Sequence, residues 1–167
     1  WTSVLRSAIN QKSPKKCQIT VTEMGYLAVL KQLPKHVLMV LTSHDQLGDT
    51  GEQTGWYLPE VAHPYDEFTA AGYTVTFTSP KGGAAPVDAG SVEASKDDLS
   101  CMAFIVEGAP TKALVDNTIA LADIQDTSLY HAVFFVGGFG TMWDFPDNPD
   151  VQRITRTMWE DDKVVSG

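Results

Sequence analysis

Cysteine is scarce in this chain: its 167 residues hold two, Cys17 and Cys101, far apart and without metal-type spacing. That excludes a disulfide scaffold and a zinc ribbon, and a reducing compartment is the expectation. Positive charge is scarce as well, with 12 Lys and Arg against 21 Asp and Glu and a formal net charge of -9. Such a surface repels polyphosphate, so no nucleic-acid partner is expected. No apolar run approaches the roughly 18 residues that span a bilayer, so no membrane partner is expected either. What the chain does have is 43% hydrophobic content, enough to bury the core of one domain. The expectation is an acidic, cytoplasmic, single-domain protein.

An initiating methionine is also missing, since the chain opens on Trp1. One reading starts translation at Met24, whose run Met24-Gly25-Tyr26 leads into the domain, and leaves residues 1–23 upstream. Charge divides the chain near Pro34. Residues 1–34 carry Arg6, Lys12, Lys15, Lys16 and Lys31 against Glu23 alone, so residues 35–167 carry a net -13. The first segment has no clean hydrophobic period and reads as an N-terminal extension; residues 35–167 read as the domain. The acid-free stretch 1–22 leaves a mitochondrial transit peptide as the alternative, although the amphipathic Arg face of such peptides is weak here.

From Lys35 the pattern becomes regular. His36-Val37-Leu38-Met39-Val40-Leu41 is a continuous apolar run that suits a strand buried on both faces. Residues 56–71 predict a helix, with Pro59 tolerated in its first turn, Pro64 expected to kink it and Gly72 ending it. Tyr73–Thr78 alternates and predicts a second strand, which completes a right-handed strand, helix, strand crossover between parallel strands. Residues 81–100, rich in Gly, Ala, Pro and Asp, read as a surface loop, and 111–122 as a helix. His131–Val136 predicts another buried strand, closed by Gly137-Gly138. Asn148 can cap a helix with Pro149 in its first position, where Val151, Ile154, Met158 and Trp159 share a face, and Lys163–Ser166 predicts a last strand. Such alternation indicates an open α/β sheet, whose ligands gather beyond the carboxyl ends of the strands, after residues 41, 79, 136 and 166.

Two features in those places can carry chemistry. The turn Gly137-Gly138-Phe139-Gly140 lets backbone N–H groups approach a ligand oxygen and hold an oxyanion; a plain tight turn is the alternative. It is not a nucleotide loop, because it lacks both the Lys-Ser/Thr of a phosphate loop and a third glycine at dinucleotide spacing. Glu60 sits among apolar neighbours at the start of the first helix, where a buried carboxyl would be placed to act as an acid; a solvated helix Glu is the alternative. His36, His44, His63 and His131 show no metal-ligand spacing and read as structural, so no metal is expected. Cys17 lies beside Lys15 and Lys16 but has nothing to position a base, and Cys101 falls in a loop or edge region; neither reads as a nucleophile. Trp143, Phe145 and Trp159 read as core residues.

Three segments together resemble a known family. Gly55–Tyr65, Ser79-Pro80-Lys81-Gly82-Gly83 with Pro86-Val87-Asp88, and Ala132–Gly138 followed by Gly140-Thr141-Met142-Trp143-Asp144-Phe145-Pro146 are similar, in order, to the DJ-1/PfpI superfamily and its Hsp31-like branch. The resemblance runs over about residues 35–166. It implies a flavodoxin-like, class I glutamine-amidotransferase-like parallel sheet with helices on both faces. It also implies cofactor-free glyoxalase or D-lactate dehydratase chemistry on small aldehydes such as methylglyoxal, with chaperone or deglycase roles in some members. Glu60 matches the family's proton-shuttling glutamate, and the glycine turn, Gly137, Gly138 and Phe139, matches its oxyanion and substrate-binding site, with the N–H groups of Gly138 and Phe139 as donors.

This sequence departs from the family at two positions. The family's nucleophile elbow, Ala-Val-Cys-His-Gly, is expected directly after Val164-Val165-Ser166, where the chain has Gly167 and stops. Neither the nucleophile nor its neighbouring histidine is among these residues. The expectation is a domain incomplete at its C-terminus and inactive alone, with the strand at 133–136 partly uncovered unless a homodimer or another partner covers the open sheet. The family's common His in the glycine turn is Phe139 here, which favours a divergent pocket or a noncatalytic binding, chaperone or assembly subunit as the alternative.

Overall fold

The structure, a computed structural model, describes residues 35–167. The extension at 1–34, with Met24 and Cys17, lies outside the described residues. At the centre is β1, His36–Val40, in which every residue after His36 is buried. Alternate side chains of this strand enter different cores: Val37, Met39 and Leu41 face one cluster, Leu38 and Val40 the other. Burying each of these contributes about 1.5–3 kcal/mol, which is why a continuous apolar run rather than an alternating one specifies the central strand.

Helix α1 follows at Pro59–Ala70, then strand β2 at Thr74–Ser79. The helix starts three residues later than its apolar pattern suggests, because Trp56 is engaged in a parallel bridge with Val87. It continues through Pro64, which has no N–H to give the carbonyl four residues back. Next come α2 (Ala89–Ala94), α3 (Leu99–Ile105), α4 (Pro110–Asp116) and the two-residue β3 (Ile119–Ala120). Strand β4 is Ala132–Phe135, α5 is Thr141–Asp144, α6 is Pro149–Glu160 and β5 is Val164–Ser166.

All five strands are parallel, in the order β3-β2-β1-β4-β5. With the short β3 set aside, the four longer strands run 2-1-3-4 in chain order, the flavodoxin-like arrangement. Helices cover both faces: α1, α3 and α4 lie over one core and α6 over the other. The chain direction reverses its march across the sheet between β1 and β4, so the crevice at the carboxyl ends of those two strands is where this fold collects ligands.

Four expectations need correction. Residues 81–100 are not simply a surface loop: Asp88 caps α2 by accepting from the Ser91 N–H at 2.8 Å, and Asp98 caps α3 by accepting from the Cys101 N–H at 3.1 Å. Aspartates at these caps turn a loop-like composition into helix starts. Cys101 is consequently in α3, fully buried. The single helix expected over 111–122 ends at Asp116, and the chain then pairs with β2 because the Thr78 hydroxyl and the strand register draw Ile119 to the sheet edge. Trp143 and Trp159 are not core residues, being 45% and 72% exposed; Ile154 and Met158 fill the α6 face instead. Finally, β4 has no unpaired edge, because β1 and β5 flank it, and Val133 and Val136 are buried while Phe134 and Phe135 are half-buried. Among the described residues no helix is long and apolar enough to cross a membrane.

Candidate active site

Beyond the carboxyl ends of β1 and β4 the backbone is drawn together from three places. The Trp56 N–H donates to the Pro86 carbonyl and the Asp88 N–H to the Trp56 carbonyl, each at 2.9 Å, so residues 55–57 lie alongside 86–88. The Tyr57 N–H donates to the Gly137 carbonyl at 3.0 Å. The Gly137 N–H in turn donates to Glu60 Oε2 at 2.8 Å. Three segments distant in sequence therefore meet around the start of α1.

Close approach explains the glycines. A Cβ at Gly138, whose φ is +123°, would collide with the Gly55 carbonyl oxygen and stand 2.9 Å from Trp56 Cα. A Cβ at Gly55 would collide with the Pro86 carbonyl. Backbone packs on backbone here, which no other residue type allows.

Ser91 supports the start of α1, which has no side-chain cap of its own. Its buried hydroxyl accepts from the Leu58 N–H at 3.1 Å and donates to the Asp88 carbonyl at 2.6 Å. Asp88 accepts from Ser91 N–H through Oδ1 and from the Thr54 hydroxyl, at 3.0 Å, through Oδ2. On the other side, Asp144 of α5 accepts from the Thr42 hydroxyl at 2.8 Å and the Ser43 N–H at 2.7 Å, holding α5 to the end of β1.

The result is a cleft of about 400 Å³. Tyr57, Glu60, Asp88 and Ser91 line it together with Gly138, Phe139 and Met142. The four positions singled out in the sequence thus come together: Glu60 and Gly138 line the cleft with Phe139, and Gly137 carries the contact to Glu60. Glu60 is exposed to the cleft rather than buried among its apolar neighbours. One carboxylate oxygen, Oε2, holds the Gly137 N–H; among the described residues Oε1 has no hydrogen-bond partner. Among the described residues the N–H groups of Gly138 and Phe139 also have no acceptor. A carboxylate oxygen and two adjacent backbone N–H groups, all without partners among the described residues, are the kinds of group that can accept a proton and receive an oxyanion.

Sequence reasoning missed Tyr57, Ser91 and Met142 as lining residues. Ser91 had one legible signal, its position three residues after a capping Asp. His63 reads differently too: instead of a structural residue it is exposed, paired with Asp98 at 2.8 Å and 3.7 Å from the Cys101 sulfur.

No protein-family model matches the chain. It is similar to glyoxalase 3 of Candida albicans, 28% identical over 141 residues, covering 78% of this chain and 55% of that protein. It is similar also to the glutathione-independent glyoxalase HSP31 of Saccharomyces cerevisiae, 27% identical over 143 residues, covering 80% and 56%. The chain thus spans about half the length of the curated relatives it matches. Among solved structures, the Rapid Encystment Protein 24 KDa of Francisella tularensis is 33% identical with a TM-score of 0.71, covering 78% of this chain and 57% of that one. A ThiJ/PfpI domain protein of Brachyspira murdochii shares the fold at 18% identity and a TM-score of 0.51, with 78% and 56% covered. Sheet order, glycine turn and relatives agree: the chain is similar to the Hsp31-like glyoxalases and shares its fold with a ThiJ/PfpI domain protein, in line with the resemblance to the DJ-1/PfpI superfamily.

Proposed function

We propose that this cleft is part of a glutathione-independent glyoxalase-type site that converts a small 2-oxoaldehyde such as methylglyoxal, with water, to the 2-hydroxy acid. The observation that carries this reading is the 2.8 Å contact from the Gly137 N–H to Glu60, which sets a carboxylate beside the N–H groups of Gly138 and Phe139. In the overall conversion the aldehyde carbon is oxidised and the neighbouring ketone carbon reduced within one molecule. No external redox cofactor is needed.

The steps distribute over the cleft as follows. A thiolate adds to the aldehyde carbon, and the carbonyl oxygen becomes an oxyanion that the Gly138 and Phe139 N–H groups receive. Glu60 takes the proton from that carbon and returns it to the neighbouring one, leaving a thioester that water opens to the acid and the free thiol. The thiol of this reading is the one in the elbow that the family resemblance implies; Cys101, buried in α3, is not that thiol.

In a chain that includes the elbow, Glu60→Gln is expected to lower lactate formation by roughly 10²- to 10⁴-fold, the usual worth of a positioned proton-transfer group. Undiminished lactate formation would sink the assignment. A second reading, a noncatalytic binding, chaperone or assembly subunit, is favoured by one observation. Phe139 and Met142, which line the cleft, are 60% and 66% exposed. It predicts client binding that Glu60→Gln leaves unchanged.

A further inference from the structure

One turn along α1 from Glu60, a second group of side chains converges. His63 comes from α1, while Asp98 and Cys101 come from the cap and first turn of α3. Their donor atoms all lie within 4.8 Å of one another. His63 Nε2–H donates to Asp98 Oδ2 at 2.8 Å, and the Cys101 sulfur is 3.7 Å from the same nitrogen. Asp98 is itself fixed, because its other oxygen accepts from the Cys101 N–H at 3.1 Å.

This is not the geometry of a nucleophile. Carboxylate and thiol share a single ring nitrogen, whereas an orienting acid must hold the far nitrogen while the near one faces the thiol. Cys101 is also fully buried, and burial, then the Asp98 carboxylate, pushes its thiol up, away from thiolate. What the arrangement fits is a cation taking the place of the shared proton. Tetrahedral zinc with sulfur at about 2.3 Å and nitrogen and oxygen at about 2.0–2.1 Å separates its ligand atoms by roughly 3.3–3.7 Å. The nitrogen-to-sulfur distance already has that value, and the nitrogen-to-oxygen distance must open by roughly half an ångström.

We propose that His63 Nε2, Asp98 Oδ2 and Cys101 Sγ form a zinc-binding site that ties α1 to α3. Mixed nitrogen, sulfur and oxygen donors select zinc over magnesium and calcium, which take oxygen alone. His63 is exposed, so a water completes the coordination from the solvent side. The Asp98 oxygen held by the Cys101 N–H orients the carboxylate from the second shell of the ion. On binding, the Cys101 thiol loses its proton to solvent and the imidazole gives up the Nε2 proton it shares with Asp98 and carries its proton on Nδ1 instead, leaving Nε2 to the metal.

The test is titration of the full chain with Zn²⁺ against a chromogenic chelator, and with Co²⁺ followed by absorption. One equivalent of metal, a thiolate-to-cobalt charge-transfer band and a zinc-dependent rise in Tm are expected. His63→Ala changes an exposed residue. Asp98→Asn keeps an amide able to cap α3. Each should weaken zinc binding by more than the roughly tenfold that losing an outer-shell partner costs, and His63→Ala should abolish the rise in Tm. Cys17→Ser should leave all three readouts unchanged. Absence of the band in the intact chain, or its survival in folded His63→Ala, or its loss in Cys17→Ser, would overturn the proposal.

Discussion

The two ends of β1 are built on different terms. At the amino end, His36 donates to or accepts from the Thr76 hydroxyl at 2.7 Å and its ring leans on Tyr130 with centroids 4.9 Å apart. Tyr73 and His131 make a similar tilted pair beside it. Side chains close that end, and side chains can be exchanged at modest cost. At the carboxyl end, Gly55, Gly137, Gly138 and Gly140 each stand where a Cβ would strike another atom of the chain. At Gly55, Gly138 and Gly140 backbone packs on backbone, and at Gly137 the backbone packs on the Glu60 carboxylate. Ordinary side-chain packing tolerates variation, whereas main chain packed this closely does not.

The largest effect that follows is at Gly138. A valine there meets both a positive φ and the Gly55 carbonyl, so Gly138→Val is expected to cost about 3 kcal/mol or more by adding overpacking to backbone strain. Urea denaturation measures it. A loss no larger than that of a β-branched swap at the amino end would break the contrast between the two ends.

Gly137→Ala comes next. Its methyl would collide with Glu60 Oε2, a side-chain atom that can move away, so the cost falls to about 1–3 kcal/mol. The displaced carboxylate is the sharper readout: the Gly137 amide resonance should lose the downfield shift conferred by its contact with Glu60. If the shift persists in the alanine chain, the hydrogen bond is not what positions Glu60.

This contrast also marks how much could be read beforehand. The amino end and both cores were legible, because apolar runs such as Val37–Val40 and Ala132–Phe135 report burial directly. Glu60 and the glycine turn were legible as separate features. Their contact was not, since it spans 77 positions and depends on Tyr57 docking onto Gly137. The helices at 89–94 and 99–105 escaped because Asp88 and Asp98 read equally well as turn residues until their oxygens are seen to accept from the third residue on. His63 with Cys101 was hidden for the same reason: 38 positions separate them, and no local spacing announces the pair.

At the cleft's apolar lining the expected effect is smaller. Phe139 is 60% exposed, and Phe139→His should change stability by no more than about 0.5 kcal/mol. It replaces an apolar face with a titratable donor beside Gly138, so binding of a 2-hydroxy acid such as D-lactate, followed by amide shifts at Gly138, should change while the melting curve does not. A marked loss of stability would mean that Phe139, despite its exposure, is part of the framework.

The smallest effect belongs to the amino end and appears only with pH. Burial holds the His36 imidazole below its ordinary pKa. The unfolded chain therefore takes up that proton first as pH falls through about 6.5. The stability that neutral His36 contributes is fully present above that value, and it declines until pH drops beneath the folded pKa, where both states are protonated. In His36→Gln, which retains a hydrogen-bonding partner for Thr76, the urea midpoint should fall less between neutral and mildly acid pH than in the parent chain. The difference between the two chains isolates His36 from His44, His63 and His131, which remain in both. An equal decline in the two would show that the amino end is as indifferent to charge as it is to side-chain exchange.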